Sequence, residues 1–407
     1  MTSVGLAQVE DAARLLTGVV APTPVEHSRS LSSVCGAPVY LKCENLQHTG
    51  SFKLRGAYVR LAGLSPQERA RGVVAASAGN HAQGVALAGA QLGVEVTVFM
   101  PRDAALPKID ATQGYGARVE LAGTDVAETL EHAEAFARET GAIVVHPFDH
   151  ADVVAGQGTI GLEILEQVPD VATILVPTGG GGLLAGVAAA LAKAAPHVRV
   201  IGVQAERAAA YPPSIAAQAP QTVVTNGTMA DGIAVPTPGK IPFEIIRSLG
   251  IEVITVGEDV ISRALLALAE RAKLIVEPAG AVGVAAILAQ ELKLRGPIVP
   301  ILSGGNIDPV VLMRVLRHGL SAAGRFIHLR LHVTDNPGVL ARLLNLLADY
   351  SANVMHVEHT RAGLDLSVDE VEISMQLETR GTEHCREVTD ALRTAGYRVV
   401  GQANYAE

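Results

Sequence analysis

The sequence predicts an α/β protein in two lobes, each a parallel-rich sheet flanked by helices, followed by a small βαββαβ unit of ferredoxin-like order. Three observations carry that prediction. Short β-branched runs alternate with helical patterns over most of the chain, as parallel strands joined by crossover helices do. The chain has 407 residues, 49% of them hydrophobic and 18% charged, enough apolar side chain for more than one core. The composition then changes: from Arg325 to Glu407 there are 8 Arg, no Lys and 12 acids.

The elements follow in order. Residues 72–77 read as a buried strand and 80–92 as the helix after it. A strand at 94–100, a helix at 106–113, a short extended piece at 118–121, a helix at 125–139 and a strand at 143–146 complete the first lobe. The rhythm resumes with a strand at 172–176, a helix at 183–195 and a strand at 198–204. A strand at 252–256, helices at 258–273 and 281–294 and a strand at 298–302 close the second lobe. Pro and Gly residues between 212 and 239 mark a long irregular connection. The two lobes divide near residue 150. Residues 317–324 read as a hinge, and after it come strand 326–334, helix 337–350, strands 353–361 and 371–378, helix 382–394 and strand 397–400.

Composition excludes several classes. A formal charge of -9 argues against a nucleic-acid partner, which needs a basic face. Aromatics are 3% with no Trp, so stacking platforms for single strands are absent too. The cysteines Cys35, Cys43 and Cys385 are odd in number and include no C-x-x-C pair. That pattern fits a reducing, cytoplasmic setting, and the N-terminus shows no signal-peptide pattern. Residues 171–192 carry no charge, but Pro177, Thr178 and four glycines in the middle favour strand, turn and buried helix over a membrane span. His146 and His150, and His356 and His359, are spaced suggestively, yet neither pair completes a metal site. No metal is expected.

Four segments carry candidate chemistry. Lys53 lies in an uncharged, apolar-flanked stretch at a helix start. A desolvated lysine can act as a base or form a Schiff base, although isolated lysines more often extend along the surface to water. Gly179, Gly180, Gly181 and Gly182, followed by Leu183, stand between a strand and a helix. Four glycines exceed what a tight turn needs, and amides at a helix N-terminus suit an anion. Ser77, Ala78, Gly79, Asn80 and His81 occupy an equivalent turn, suited to a carboxylate or simply to a helix cap. Ser303-Gly-Gly-Asn306 follows a buried strand, where open α/β sheets bind ligands.

Taken together these segments resemble the fold type II pyridoxal-phosphate enzymes, and within them the threonine dehydratases (threonine ammonia-lyases). The resemblance runs from about residue 10 to the C-terminus. It rests on Gly50-Ser-Phe-Lys-Leu-Arg-Gly-Ala57, Ser77-Ala-Gly-Asn-His-Ala-Gln-Gly84, the glycines at 179–182, Ala230-Asp-Gly-Ile-Ala-Val235, Glu277-Pro-Ala-Gly280 and Ser303-Gly-Gly-Asn306, in this order. The C-terminal unit, with Asp335-Asn-Pro-Gly338, resembles an ACT domain, an amino-acid-sensing module.

The resemblance implies a catalytic domain over 1–320, with a smaller lobe at roughly 45–150, and an ACT regulatory domain over 325–407. It implies pyridoxal 5′-phosphate as cofactor. Lys53 would hold it covalently and act as the catalytic base, and Phe52 would pack on its ring. Asn80 would bond the ring oxygen, Ser303 would face the ring nitrogen, and Gly179 to Leu183 would cradle the phosphate. Ser77, Ala78, Gly79, Asn80 and His81 would hold the substrate carboxylate. The implied reaction is β-elimination of L-threonine to 2-oxobutanoate and ammonia, with L-serine to pyruvate beside it, in isoleucine biosynthesis or threonine catabolism. A serine racemase or serine dehydratase is the nearest alternative. Against racemisation, Ala78 stands where racemases carry a second, basic serine, and Gln204 and Ala210 stand where they carry cation-binding carboxylates. A catalytically silent amino-acid sensor would be expected to lose Lys53 or the glycines, and both are present. An amino-acid effector is expected at Asp335, Asn336, Gly338, Val339 and Leu340, and the assembly is expected to be a homodimer or homotetramer.

Overall fold

A computed structural model describes residues 4–225, 227–361 and 366–403. The chain divides into two compact units, Met1–Leu312 and Met313–Glu407.

The first unit contains two four-stranded parallel sheets. One runs in the order Arg118–Leu121, Val96–Met100, Val73–Ala76, Ile143–Val144. The other runs Ile298–Pro300, Thr173–Pro177, Arg199–Ala205, Glu252–Val256. Their central strands are buried end to end, which is why they read as unbroken apolar runs. The short strand Tyr40–Lys42 reaches the edge of the second sheet through bridges from Val39 to Ile298 and from Lys42 to Ile301.

Helices pack tightly on these sheets because their contact faces are small. Ala151–Gln167 lies against Gly182–Ala194, a helix built mostly of Ala, Gly and Leu. A methyl added at Gly158 or at Gly186 would come within 2.6 Å of the other's backbone. The helix Lys53–Ala62 sits between Asn80–Leu92 and Ala151–Gln167. It therefore ties the segment before Lys53 to both lobes.

The second unit is one antiparallel sheet in the order Asn353–Thr360, Glu370–Glu378, Phe326–Thr334, Arg398–Ala403. Alternate residues of the central strands (Leu329, Leu331, Ile373, Met375 and Leu377) are buried with Leu343 and Leu347 of helix Val339–Asp349 and Val388 and Leu392 of helix Thr382–Thr394. This is the ferredoxin-like βαββαβ arrangement expected from the alternation.

Four local expectations are corrected. The stretch at 317–324, expected as a hinge, is mostly helical: helix Pro309–Ala322 runs through most of it and ends before Gly324, with φ 68°. Apolar residues at 311, 312, 315, 316 and 320 sustain a helical period there and outweigh the glycine and serine. The helix expected over 258–273 is regular only over Glu258–Ala267; its last turn, Leu268–Ala272, widens to a π turn and ends at Lys273 in the left-handed region. The helix expected over 281–294 begins at Pro278, a residue suited to the first turn, and stops at Ala289. The irregular connection after Pro212 also holds a helix, Tyr211–Ala217, and a 3₁₀ turn, Asp231–Ile233.

Candidate active site

Four loops converge, three of them at the C-terminal ends of parallel strands, where ligands of open α/β sheets bind. Residues 77–81 follow Val73–Ala76, residues 178–182 follow Thr173–Pro177, and residues 301–306 follow Ile298–Pro300. The fourth, 47–53, is stitched to the last of these. Ser51 pairs with Gly304, the Phe52 amide donates to Ser303 O at 3.2 Å, and the Gly305 amide donates to Gly50 O at 2.9 Å. This places Lys53, the first residue of its helix, beside the Ser303–Asn306 turn.

The Lys53 amine donates to the carbonyl of Pro147 at 3.1 Å and lies 5.2 Å from the centroid of the Phe52 ring. The residue is only partly buried, yet desolvation pulls its pKa down to about 8, and nearby Glu277 offsets part of that effect. Lys53 is thus a lysine that can be a neutral amine close to neutral pH.

Glycines 179–182 form a bare turn. The Phe148 ring packs against Gly180, and the Tyr211 hydroxyl donates to Gly180 O at 3.2 Å. Gly181 has φ 96°, and a side chain there would collide with the Tyr211 hydroxyl. Helix Gly182–Ala194 starts at this turn, so its first amides lack intrahelical partners and point out of the helix. Such a cradle fits a phosphate. Pro147, which holds Lys53, and Phe148, which covers the glycines, are consecutive, so residues 147–148 connect the amine to the anion site.

The turn at 77–81 is arranged differently from its motif. The Ser77 amide donates to Phe99 O, and the Gly79 amide is taken by Ser77 Oγ at 3.2 Å. The ring of His81 is turned inward, with Nε2 2.8 Å from Val145 O. Burial, with Lys53 adding to it, pushes the His81 pKa down to about 3, so the ring is neutral. What this turn offers a carboxylate is the N-terminus of helix Asn80–Leu92 rather than the imidazole. Asn80 donates through Nδ2 to Glu277 Oε1 at 2.7 Å, and its Oδ1 accepts from Asn306 Nδ2 at 2.8 Å. Ser303 is 3% exposed at the floor of the same loops.

Several participants had no role assigned from sequence. Glu277 is buried beside Asn80, and burial pushes its carboxyl up to about 7, with Asp231 adding to the effect. Its signal was present: an acid in an uncharged apolar run, the same sign that marked Lys53. Pro147 and Phe148 gave no such signal. Of the two histidine pairs, His146 Nδ1 accepts from the amides of Phe148 and Asp149, and His150 Nδ1 accepts from that of Asp152. Both are local caps of the loop that holds Lys53.

The turn 335–340 belongs to the second unit, described by itself. Asp335 is paired with Arg361 at 2.9 Å, which holds its carboxyl below the usual range. Gly338 has φ 85°, Val339 is buried and Leu340 packs on the core. Asn336 donates its amide to Thr334 O.

Comparison with known proteins agrees with this geometry. A family model described as pyridoxal-phosphate dependent enzyme matches residues 16–304. An L-threonine ammonia-lyase of Thermotoga maritima is 46% identical over 401 residues, spanning 98% of this chain and 100% of that protein. The solved threonine deaminase isoform 2 from Solanum lycopersicum superposes with a TM-score of 0.73 at 36% identity, covering 77% of this chain and 86% of that one. Maize serine racemase gives a TM-score of 0.73 at 33% identity, covering 78% of this chain and 98% of the other.

Proposed function

Because the chain belongs to the pyridoxal-phosphate dependent enzymes, we propose that it dehydrates and deaminates L-threonine to 2-oxobutanoate and ammonia, and L-serine to pyruvate. The observation that carries this reading is the meeting of a low-pKa Lys53 with a bare glycine turn at a helix N-terminus. The bound cofactor supplies an electron sink for the negative charge that develops at the substrate Cα.

The chain's residues do the rest. Lys53 would anchor the cofactor and, as a free neutral amine, would be the base that takes the Cα proton. Pro147 O accepts a hydrogen bond from its amine and so fixes where the proton is received. Phe52 flanks that amine, and Ser303 and Asn80 would hold the ring nitrogen and the ring oxygen of the cofactor. Gly179 to Leu183 hold the phosphate with backbone amides, and the N-terminus of Asn80–Leu92 holds the substrate carboxylate. Neutral His81 adds no charge that would compete with Lys53 for the proton. Loss of the β-hydroxyl as water, and return of water in hydrolysis of the released enamine, balance to a 2-oxo acid and ammonia. Threonine and serine differ by one methyl, a discrimination of about 1–3 kcal/mol that pocket volume sets.

Racemisation is disfavoured because Ala78 has no exchangeable side-chain proton. The second unit is read as an ACT domain, residues 325–407 beside a catalytic domain over 1–320. With Asp335 engaged by Arg361, an amino-acid effector would meet the turn at Asn336, Gly338, Val339 and Leu340 chiefly through backbone groups. Among the described residues no helix is long and apolar enough to cross a membrane, and a cytoplasmic homo-oligomer completes the reading.

The test is turnover. Purified protein with L-threonine should release 2-oxobutanoate and ammonia in equal amounts and carry a visible cofactor band. A yellow protein that converts neither threonine nor serine would overturn the substrate assignment.

A further inference from the structure

We infer that Glu277 and Asn306 are positioning residues that fix the orientation of the Asn80 side-chain amide, so that one N–H of Asn80 faces the cofactor. The inference rests on the cofactor reading above and deepens it. An asparagine side chain has two N–H donors and a carbonyl oxygen, and rotating it by half a turn exchanges them. Donor or acceptor toward a ligand is therefore decided by its other neighbours.

Here both other neighbours are of one kind each. Glu277 Oε1 takes one N–H of Asn80 at 2.7 Å. Ionised, this oxygen can only accept, and Asn306 independently fixes the Asn80 oxygen on the opposite side, so nitrogen faces Glu277. Asn306 Nδ2 lies 2.8 Å from Asn80 Oδ1 and donates to it. The direction of Asn306 is itself fixed: its Nδ2 also donates to the Thr49 carbonyl at 2.6 Å, a group that cannot donate. A flipped Asn80 would put N–H against N–H at Asn306 and oxygen against oxygen at Glu277. In the observed orientation one N–H of Asn80 is left over, and it is a donor.

Glu277 is held as firmly as the residue it orients. Its amide donates to Gly304 O at 3.0 Å, and its carbonyl accepts from the Gly280 amide at 2.9 Å in the first turn of helix Pro278–Ala289. Glu277 is 6% exposed, so water is a poor substitute for it. The groups facing it are Asn80, Lys53, Asp231 and Lys108, of which Asp231 and Lys108 form an ion pair at 3.7 Å. The network therefore joins the 277 segment, the 80 turn, the 306 turn and residue 49, and its Glu277 faces Lys53.

The experiment uses the full-length holoenzyme and its apo form. Pyridoxal phosphate is titrated into apo wild type, E277Q, E277L and N306A, and both affinity and the wavelength of the visible band are read. Thermal midpoints of the apo proteins are measured alongside. Glutamine keeps an accepting oxygen, so E277Q should retain the wild-type band. E277L and N306A should shift the band and weaken cofactor affinity by about tenfold to a hundredfold, the usual loss for a misdirected buried hydrogen bond. Wild-type band and affinity in E277L overturn the inference, as does equal loss in E277L and E277Q, which would make charge rather than orientation decisive. Should E277L not fold, an unshifted band in N306A overturns it. A wild-type protein with no band would instead bring down the cofactor reading itself.

Discussion

Lys42 and Lys53 stand on either side of one loop, both drawn away from water, and their surroundings differ in kind. Lys42 is fully buried and completely satisfied. Its amine donates to Glu163 at 2.6 Å, to Gln167 at 2.9 Å and to Thr23 O at 2.9 Å. It shares Glu163 with Arg55, which is also 0% exposed and bonds Glu44 at 2.8 and 2.9 Å and Thr159 at 3.1 Å. Lys53 meets a carbonyl, the Phe52 ring, the imidazoles of His81 and His146, and a carboxyl that is itself pushed toward neutrality. The first region engages its cations fully with fixed acids and carbonyls and so is structural. The second leaves its cation under-compensated and so makes it reactive. Arg55 and Lys53 belong to the same helix, which means that the rigid network anchors the start of the helix that carries the reactive amine. A buried network of this kind is high-stakes: complete, it fixes geometry; incomplete, it destabilises.

The largest test of this contrast is Lys53→Ala. It should lower turnover by about 10⁴-fold or more, since it removes both the covalent anchor and the base. Its apo form should melt no lower than wild type, because a desolvated amine has been deleted. A large fall in melting temperature would mean that Lys53 is structural after all. Arg55→Met should do the reverse. Glu44 and Glu163 lose their shared partner, and unfolding in urea should show a loss of about 3–5 kcal/mol. The visible band of the folded protein should stay where it is. Gly181→Ala tests the third group in the site. Its positive φ and the Tyr211 hydroxyl both oppose a methyl. Cofactor affinity should fall by an amount equivalent to about 1–3 kcal/mol, read by titration of the apo protein.

The smallest effect is a pH dependence. Only a neutral lysine attacks an aldehyde, so cofactor uptake by the apo protein should rise with pH through about 8. The linkage has a definite sign. The unfolded lysine titrates at 10.5 and the folded one near 8, so between those values the unfolded chain holds more protons and stability rises with pH. Below about pH 8 the charged, desolvated amine opposes folding in full. Denaturant titrations of apo wild type and Lys53→Met over this window should differ in slope. Parallel curves would mean that folding does not desolvate the Lys53 amine.

What was legible in the sequence was what depends on neighbours along the chain. The sheets of the first unit, the sandwiching helices and the βαββαβ order of the second follow from local period and from glycine and proline punctuation. Lys53 and the glycines at 179–182 stood out for the same reason, a charge or a bare backbone out of keeping with its flanks. Residues 317–324, with two glycines and a serine near a composition change, resemble a break in the chain, yet the apolar spacing keeps Pro309–Ala322 helical.

The sequence by itself determined the elements, their order, and the residue types able to hold an aldehyde, a phosphate and a carboxylate. Tertiary structure alone decided which acid faces which cation. Glu163 meets Arg55 across 108 residues, Asn306 meets Asn80 across 226, and Pro147 meets Lys53 across 94. These pairings carry no local signature, since a carboxylate or an amide looks the same in sequence whatever it bonds. Yet they set whether a buried lysine is a strut or a base. The reason is that desolvation and charge compensation are properties of a three-dimensional neighbourhood, and small differences in it move a proton.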